Sequence, residues 1–374
     1  MGSAPKGSTY IDLGSENGIP LIAGAADYGE IYPKPKKATS EPTKVCKKDD
    51  IIICVRATIG DLNWADNEYC LGRGVAGLRV NPDKLDAKYL WYFIGSYEEE
   101  LYRSSTGSTF PQINRTIIET IPIPLPPLET QKQIAAVLEK ADQLRKDCKL
   151  MEQELNSLAQ SVFIQVHTKA EKISFTFGDL ALKEKNSFVN GPFGSNLLSS
   201  ELTNKGVPVL YIRDIASGVF KRKKDVYVTN EKAIDLNSCR VDAGDVLVAK
   251  VGDPPGAAAI YPIGEPNAIV TQDVIRIKCD DRVIIAEYLV AYFNSSLGTH
   301  ALKAITVEAT RSRIGLGDLK KLGIDLPRVE VQLKFVKLSR RLTTLLEDNK
   351  NLKIQYDEEI FINTVLLLWS QLYC

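Results

Sequence analysis

From residue 128 to residue 166 the apolar side chains return at every third or fourth position: Ile134, Val137, Ala141, Leu144, Cys148, Met151, Leu155, Leu158 and Val162. This is the heptad spacing of a helix that packs along another helix. Lys, Glu, Gln, Asp and Arg fill the intervening positions, good helix formers suited to a solvated face. No Gly or Pro interrupts the run, and Pro126-Pro127 stand at its entrance, where a missing N–H costs nothing. The pattern predicts a rod of roughly 60 Å. A helix laid on a single globular core would carry a broader stripe.

The period changes on either side of this helix. Gly18-Ile-Pro-Leu-Ile reads as a turn and a buried strand, and Asp50-Ile-Ile-Ile-Cys-Val as a strand apolar on both faces. Residues 88–102 return to helical spacing with Tyr89, Leu90, Tyr92, Phe93 and Tyr97 on a broad apolar face. After the long helix the same text recurs. Gly206-Val-Pro-Val-Leu matches residues 18–22, Asp245-Val-Leu-Val matches 50–53, and Tyr288-Leu matches Tyr89-Leu90. Ile324-Asp-Leu-Pro-Arg-Val-Glu-Val-Gln matches Ile123-Pro-Leu-Pro-Pro-Leu-Glu-Thr-Gln without a gap and opens a second helix. That helix has Phe335, Leu338, Leu342, Leu345, Asn349, Leu352 and Tyr356 in heptad positions, and its seam blurs toward Ile360 and Asn363.

The expected organisation is α/β (α+β): a mixed-sheet domain at 1–125, a helix at 126–167, a second such domain at 168–326 and a helix at 327–374. With short links, the second helix can pack on the first only by running antiparallel. The two domains are then held apart at the ends of a rod and related by an approximate two-fold axis. Asn349 falls either at a polar core position that fixes register or on a solvated face.

Composition narrows the functional classes. The 374 residues exceed one compact core. Net charge is zero, so nucleic-acid binding requires local basic patches. Four such clusters exist: Lys34, Lys36 and Lys37; Lys47-Lys48; Lys221, Arg222, Lys223 and Lys224; and Arg311 with Arg313. Each is a phosphate clamp or a solvated loop. Arg56 and Arg73, on or after strands, and Lys250 at a strand end are further candidates for contact with DNA. Seven scattered cysteines without CxxC spacing favour reduced thiols in the cytoplasm over disulfides or zinc. No apolar run is long enough to span a bilayer. Two similar domains with two-fold symmetry suit duplex DNA, whose strands are antiparallel. At the ~3.4 Å rise of one strand, the rod corresponds to under about twenty base pairs.

The motifs entering the central helix, IPIPLPPLETQKQI at 121–134 and TGSTFPQIN at 106–114, carry a family resemblance. So do GPFGSNLL at 191–198 with GVPVL at 206–210, and DVLVAKVG at 245–252. Over nearly its full length the chain resembles the DNA specificity subunit of type I restriction–modification enzymes. The resemblance implies two target recognition domains and two helical spacers. It also implies two docked methyltransferase (modification) subunits and, in the full complex, restriction subunits. S-adenosylmethionine, ATP and Mg would belong to those partners, with no cofactor or metal on this chain. Two departures stand out. Pro5-Lys-Gly-Ser matches Pro192-Phe-Gly-Ser, so the first domain lacks the lead-in that the second has in 175–190; either the chain starts late or another segment supplies that strand. The second domain has Thr310-Arg-Ser-Arg-Ile-Gly in place of the first domain's GSTFPQIN loop.

Catalytic motifs do not survive inspection. Asp253-Pro-Pro-Gly has Gly where an amino-methyltransferase loop needs an aromatic to stack on a flipped base, and reads as a tight turn. There is no Gly-rich nucleotide loop. His167 and His300 lack ligand spacing. Asp242/Asp245 and Asp280/Asp281 sit at strand ends, where turns want Asp. The reading is a non-catalytic DNA-recognition and assembly subunit; the alternative from another class is a coiled-coil scaffold whose end domains bind proteins or glycans.

Overall fold

The structure, a computed structural model, describes residues 1–107, 111–192 and 194–372, with Ser195 and residues 355–372 as backbone only. Ser108 to Phe110 of the GSTFPQIN loop, Phe193, the side chains of Tyr356, Ile360 and Asn363, and Cys374 lie outside the described residues. The chain divides into two compact units, residues 1–148 with 351–374 and residues 149–350. Each long helix, Leu128–Lys169 and Val329–Leu372, contributes to both.

In the first unit, Ile51–Cys54 lies between Leu62–Trp64 and Val75–Leu78, antiparallel to both. All four of its side chains are buried, as a central strand requires. A second sheet orders Tyr10–Ile11, Lys37–Thr39, Ile19–Ile22, Tyr69–Leu71 and Val45–Cys46, with the pair Leu21↔Cys70 parallel. The helix Ala87–Ser96 starts at Asp86, whose carboxylate accepts the Tyr89 amide at 2.9 Å. It packs Leu90 and Ile94 onto the central strand, while Tyr89 meets Ile134 and Ala135 of the central helix.

The second unit repeats this plan. Val246–Ala249 lies between Ala258–Ile260 and Val274–Ile277. Val207–Leu210 pairs in parallel with Ala268–Val270, as Ile19–Ile22 does with Tyr69–Leu71. The glycines that open the domains occupy the same tight place. A Cβ on Gly2 would stand 2.2 Å from the Gly72 carbonyl oxygen, and one on Gly191 2.1 Å from that of Val270. The strand Phe188–Asn190 adds to the edge of Val274–Ile277.

The most detailed repeat is a pair of buried glutamines at the helix entrances. Gln131 Oε1 accepts the Asp86 amide at 2.9 Å, while its Nε2 donates to the carbonyls of Lys84 (3.0 Å) and Pro126 (2.8 Å). Gln332 accepts the Ile285 amide at 2.9 Å and donates to the carbonyls of Val283 (3.0 Å) and Pro327 (2.8 Å). Each side chain satisfies all three backbone groups and ties the start of a long helix to the loop before a domain helix.

Within the second unit the long helices run antiparallel. Phe163 meets Phe335 with ring centroids 5.2 Å apart, and Lys350 reaches Glu152 at 3.6 Å, so numbering falls on one helix as it rises on the other. The seam differs from the strict heptad. Ile134, Ala141, Phe335 and Leu342 are buried, and Leu144 and Leu155 half-buried. Val137, Met151, Leu158, Leu338, Leu345 and Leu352 are exposed instead. Their neighbours Leu138, Glu152, Ala159, Ser339 and Leu346 are the half-buried ones. The reason is that the helices pack on more than each other: Phe163 also meets Tyr288 and Tyr292, which rotates the buried face by part of a turn. Asn349 is buried.

Candidate nucleic-acid interface

Each domain has a cleft where the parallel strand pair ends beside the loop that follows the central strand. In the first domain this cleft, about 560 Å³, is lined by Ala23 to Asp27, Arg56 to Thr58, and Gly72 to Gly74. Both candidate arginines of that domain, Arg56 and Arg73, are exposed and line it together. Arg56 also bridges to Gln112 across the loop. Lys34, Lys36 and Lys37 are exposed but do not line the cleft.

The second domain's cleft, about 430 Å³, is lined by Ile212, Arg213, Val251 to Asp253, and Ala309 to Ser312. Arg311 is on its wall, and Arg313 is exposed on the strand bridging to Val251. Lys250 is half-buried beside it, its carbonyl accepting the Ile314 amide at 3.0 Å. The lysine-rich stretch is divided. Lys221 and Lys223 donate backbone amides to the Asp214 carbonyl (2.8 Å) and carboxylate (3.0 Å), leaving their side chains exposed with that of Lys224. Arg222 turns inward, over the Tyr227 ring at 4.7 Å and 3.7 Å from Asp225. Its guanidinium is thus engaged by its own domain.

Sequence reasoning missed Arg213. Its guanidinium stacks on the Tyr211 ring at 4.1 Å, and its buried Nε makes no hydrogen bond within the chain. A flat cation held on an aromatic face inside a cleft is a rigid bidentate donor. Its only signal was position, three residues beyond a fully apolar strand. Superposing the strand registers aligns the clefts residue by residue. Arg56 stands where Val251 stands, Gln112 where Arg313 stands, Ala25 where Arg213 stands, and Arg73 where Gln272 stands. One scaffold thus presents two different sets of polar groups.

The acidic pairs are used locally. Asp245 accepts the Asp242 amide at 2.9 Å, and Asp280 takes both the backbone and the guanidinium of Arg282, which holds its carboxyl down at about 2. His300 is exposed and His167 buried. Asp253-Pro-Pro-Gly forms a turn with a cis Asp253–Pro254 bond. Among the described residues no group of His, Cys, Asp or Glu could hold a metal ion, and no disulfide is present. No described helix is long and apolar enough to cross a membrane.

Residues 6–160 match the type I restriction modification DNA specificity domain. A putative type I restriction enzyme MjaX specificity subunit of Methanocaldococcus jannaschii is 40% identical over 144 residues, covering 38% of this chain and 33% of that protein. The MjaVIII specificity subunit of the same organism is 23% identical over 94% of this chain and 86% of its own. Residues 6–160 thus carry the type I restriction modification DNA specificity domain, and the chain is similar along most of its length to type I restriction enzyme specificity subunits. The fold agrees. A chain from a structure described as underlying complex assembly and conformational transition of the type I R-M system aligns with TM-score 0.62 at 16% identity. That alignment covers 97% of this chain and 96% of the other. The S subunit from M. genitalium aligns with TM-score 0.57 at 14% identity, over 97% and 91%.

Proposed function

We propose that this chain reads a bipartite site in double-stranded DNA, one half-site per domain, and carries that reading to partner subunits that perform the chemistry. The observation that carries the proposal is the pair of equivalent clefts with divergent side chains. A shared scaffold supplies the same approach to the duplex, and different polar groups at matching positions specify different bases. Arg56 and Arg73 are the readers of the first half-site; Arg213, Arg311 and Arg313 are those of the second. The exposed lysines at 34, 36, 37, 221, 223 and 224 and Lys250 contribute phosphate contacts, which position without specifying.

The partners are two methyltransferase (modification) subunits and, through them, restriction subunits. The exposed apolar side chains of Met151 and Leu158 on one helix and Leu338 and Leu345 on the other, all in the second unit, support docking along the spacers. Functional boundaries follow the repeat: recognition domains at 1–125 and 168–326, spacers at 126–167 and 327–374. S-adenosylmethionine, ATP and Mg belong to the partners, and the assembly works in the cytoplasm.

The test is to map methylated adenines after reconstituting the chain with its modification subunits. We expect a bipartite target, with Arg213→Ala relaxing bases only in the second half-site. Salt-insensitive DNA binding, or binding to proteins or glycans without DNA affinity, would overturn the reading in favour of a scaffold.

A further inference from the structure

The side chain of Arg213 is prepared for a ligand that its own domain does not supply. The preparation begins in the main chain. Leu210, the last residue of its strand, pairs with Val270, and Ile215 is fully buried, so the Ile212–Asp214 turn between them is fixed at both ends. Asp214, 1% exposed, uses both carboxylate oxygens on this loop. Oδ2 accepts the Tyr211 amide at 2.9 Å and Oδ1 the Lys223 amide at 3.0 Å. The carboxylate next to Arg213 in sequence is therefore committed to the backbone and makes no ion pair with it.

The guanidinium carbon lies 4.1 Å from the centre of the Tyr211 ring, and Tyr211 is itself packed on the second domain's core beside Ile212. The ring is thus a fixed seat for the cation. Nε is buried without a partner, and among the described residues neither Nη1 nor Nη2 makes a hydrogen bond or ion pair. With Nε sealed, Nη1 and Nη2 are what the side chain offers to the cleft it lines with Asp253, Thr310 and Arg311. The neighbouring arginines are placed differently. Arg222 is engaged by Asp225 at 3.7 Å, and Arg311 and Arg313 are exposed with no aromatic seat among the described residues.

A pair of N–H donors held in one plane matches two adjacent acceptors. Duplex DNA offers these as O6 and N7 of guanine in the major groove, or as two oxygens of a phosphate. Comparison of the domains decides between them. A phosphate looks alike at every base pair, so a phosphate clamp belongs in both copies of a shared scaffold. In the first domain Ala25 stands at the place of Arg213 and Ala23 at that of Tyr211. The stacked pair is present in one domain alone, as a group that distinguishes two half-sites must be. Adenine presents a donor beside its acceptor there and opposes one of the two N–H groups.

We propose that Arg213 reads a guanine in the second half-site through Nη1 and Nη2, and that Tyr211 is a positioning residue that holds the guanidinium ready for it. This rests on the reading of the chain as a DNA-recognition subunit and adds the identity of one base. Ordering the arginine before binding removes much of the conformational cost of fixing a long side chain.

The test uses the chain reconstituted with its modification subunits, on duplexes carrying the target found by methylation mapping. We expect a guanine in the second half-site whose replacement by 7-deazaguanine, which lacks the N7 acceptor, weakens binding about tenfold or more. Inosine, which keeps O6 and N7, should bind as guanine does. With Arg213→Ala the 7-deaza replacement should cost nothing further. Tyr211→Phe should keep the discrimination. Tyr211→Leu should lose most of it, with first-half-site preference and salt dependence unchanged as the sign of an intact complex. If Arg213 holds a phosphate, Arg213→Ala weakens all duplexes alike and lowers the salt slope by about one, and the proposal falls. A second half-site without guanine, or 7-deaza sensitivity that survives Arg213→Ala, overturns it too and leaves the DNA-recognition reading standing. A complex that binds no duplex selectively overturns both.

Discussion

Buried polar side chains give the second domain its individual chemistry. His167 is packed against Phe163, with Nδ1 3.0 Å from the Tyr288 hydroxyl. Burial, aided by Lys172 and opposed by Asp325, lowers its pKa below the ordinary value. The folded state therefore holds the imidazole neutral while the unfolded chain still protonates near pH ~6.5, so the unfolded state binds more protons there. Stability should be full above that pH and fall as pH drops through it. His167→Gln should flatten the slope in thermal melts at pH 5 and 7.5. Arg276 presents the opposite case. It is 2% exposed, its Nε lies 3.8 Å from Asp245, and neither Nε nor Nη1 makes a hydrogen bond. Burial lowers the pKa of Arg276 and raises that of Asp245, so desolvation outweighs their attraction. The first domain has Gly77 at this place. Arg276→Met should leave thermal stability unchanged or raised, whereas Asp245→Ala, which strands the cation, should cost about 3–5 kcal/mol.

At the scale of elements, the glutamines at the helix entrances join rod to domain. A long helix cannot by itself fix the direction of the domain it leaves, because prolines before it remove backbone donors. Gln131 and Gln332 replace those donors with side-chain bonds to three backbone groups each. Gln332→Leu keeps the volume but leaves an amide and two carbonyls buried without partners. On the order of 3 kcal/mol of second-domain stability should be lost. Gln131→Leu should have the same effect on the first domain. Differential scanning calorimetry of the two variants checks this, and loss in only one domain per variant is the expected pattern.

For the whole molecule, the proposed role of the helices as a spacer has a geometric consequence. Four residues inserted near Lys146 lengthen a helix by roughly 6 Å, close to two base-pair rises at ~3.4 Å each. An active insertion variant should keep both half-sites and recognise a spacer about two base pairs longer. Methylation mapping reads this directly, and altered half-sites with an unchanged spacer would remove the helices from that role.

The repeat was legible in the sequence because each half must bury the same strands. Four consecutive apolar residues at 51–54 and 246–249 have only a doubly covered strand to occupy. The long helices were legible for a similar reason, as an uninterrupted three–four spacing has no other regular solution. The Pro-Pro-Leu-Glu-Thr-Gln text was visible, but not the three-bond clamp its glutamine makes, since that depends on the Lys84 carbonyl and the Asp86 amide, more than forty residues away in sequence. The seam was half legible: positions 134, 141, 335, 342 and 349 turn inward, but Val137, Met151, Leu158, Leu338, Leu345 and Leu352 turn out. Contacts with the aromatic faces of Tyr288 and Tyr292 rotate the helices, and a one-dimensional period cannot contain that. Arg213 acquires its setting only when Tyr211 folds beneath it, while Arg222 looked equally available until Tyr227 and Asp225 took it. Local periodicity therefore determined which elements form, because burial acts on each element's own face. Which side chains face a cleft depended on neighbours far along the chain and was decided by tertiary packing alone.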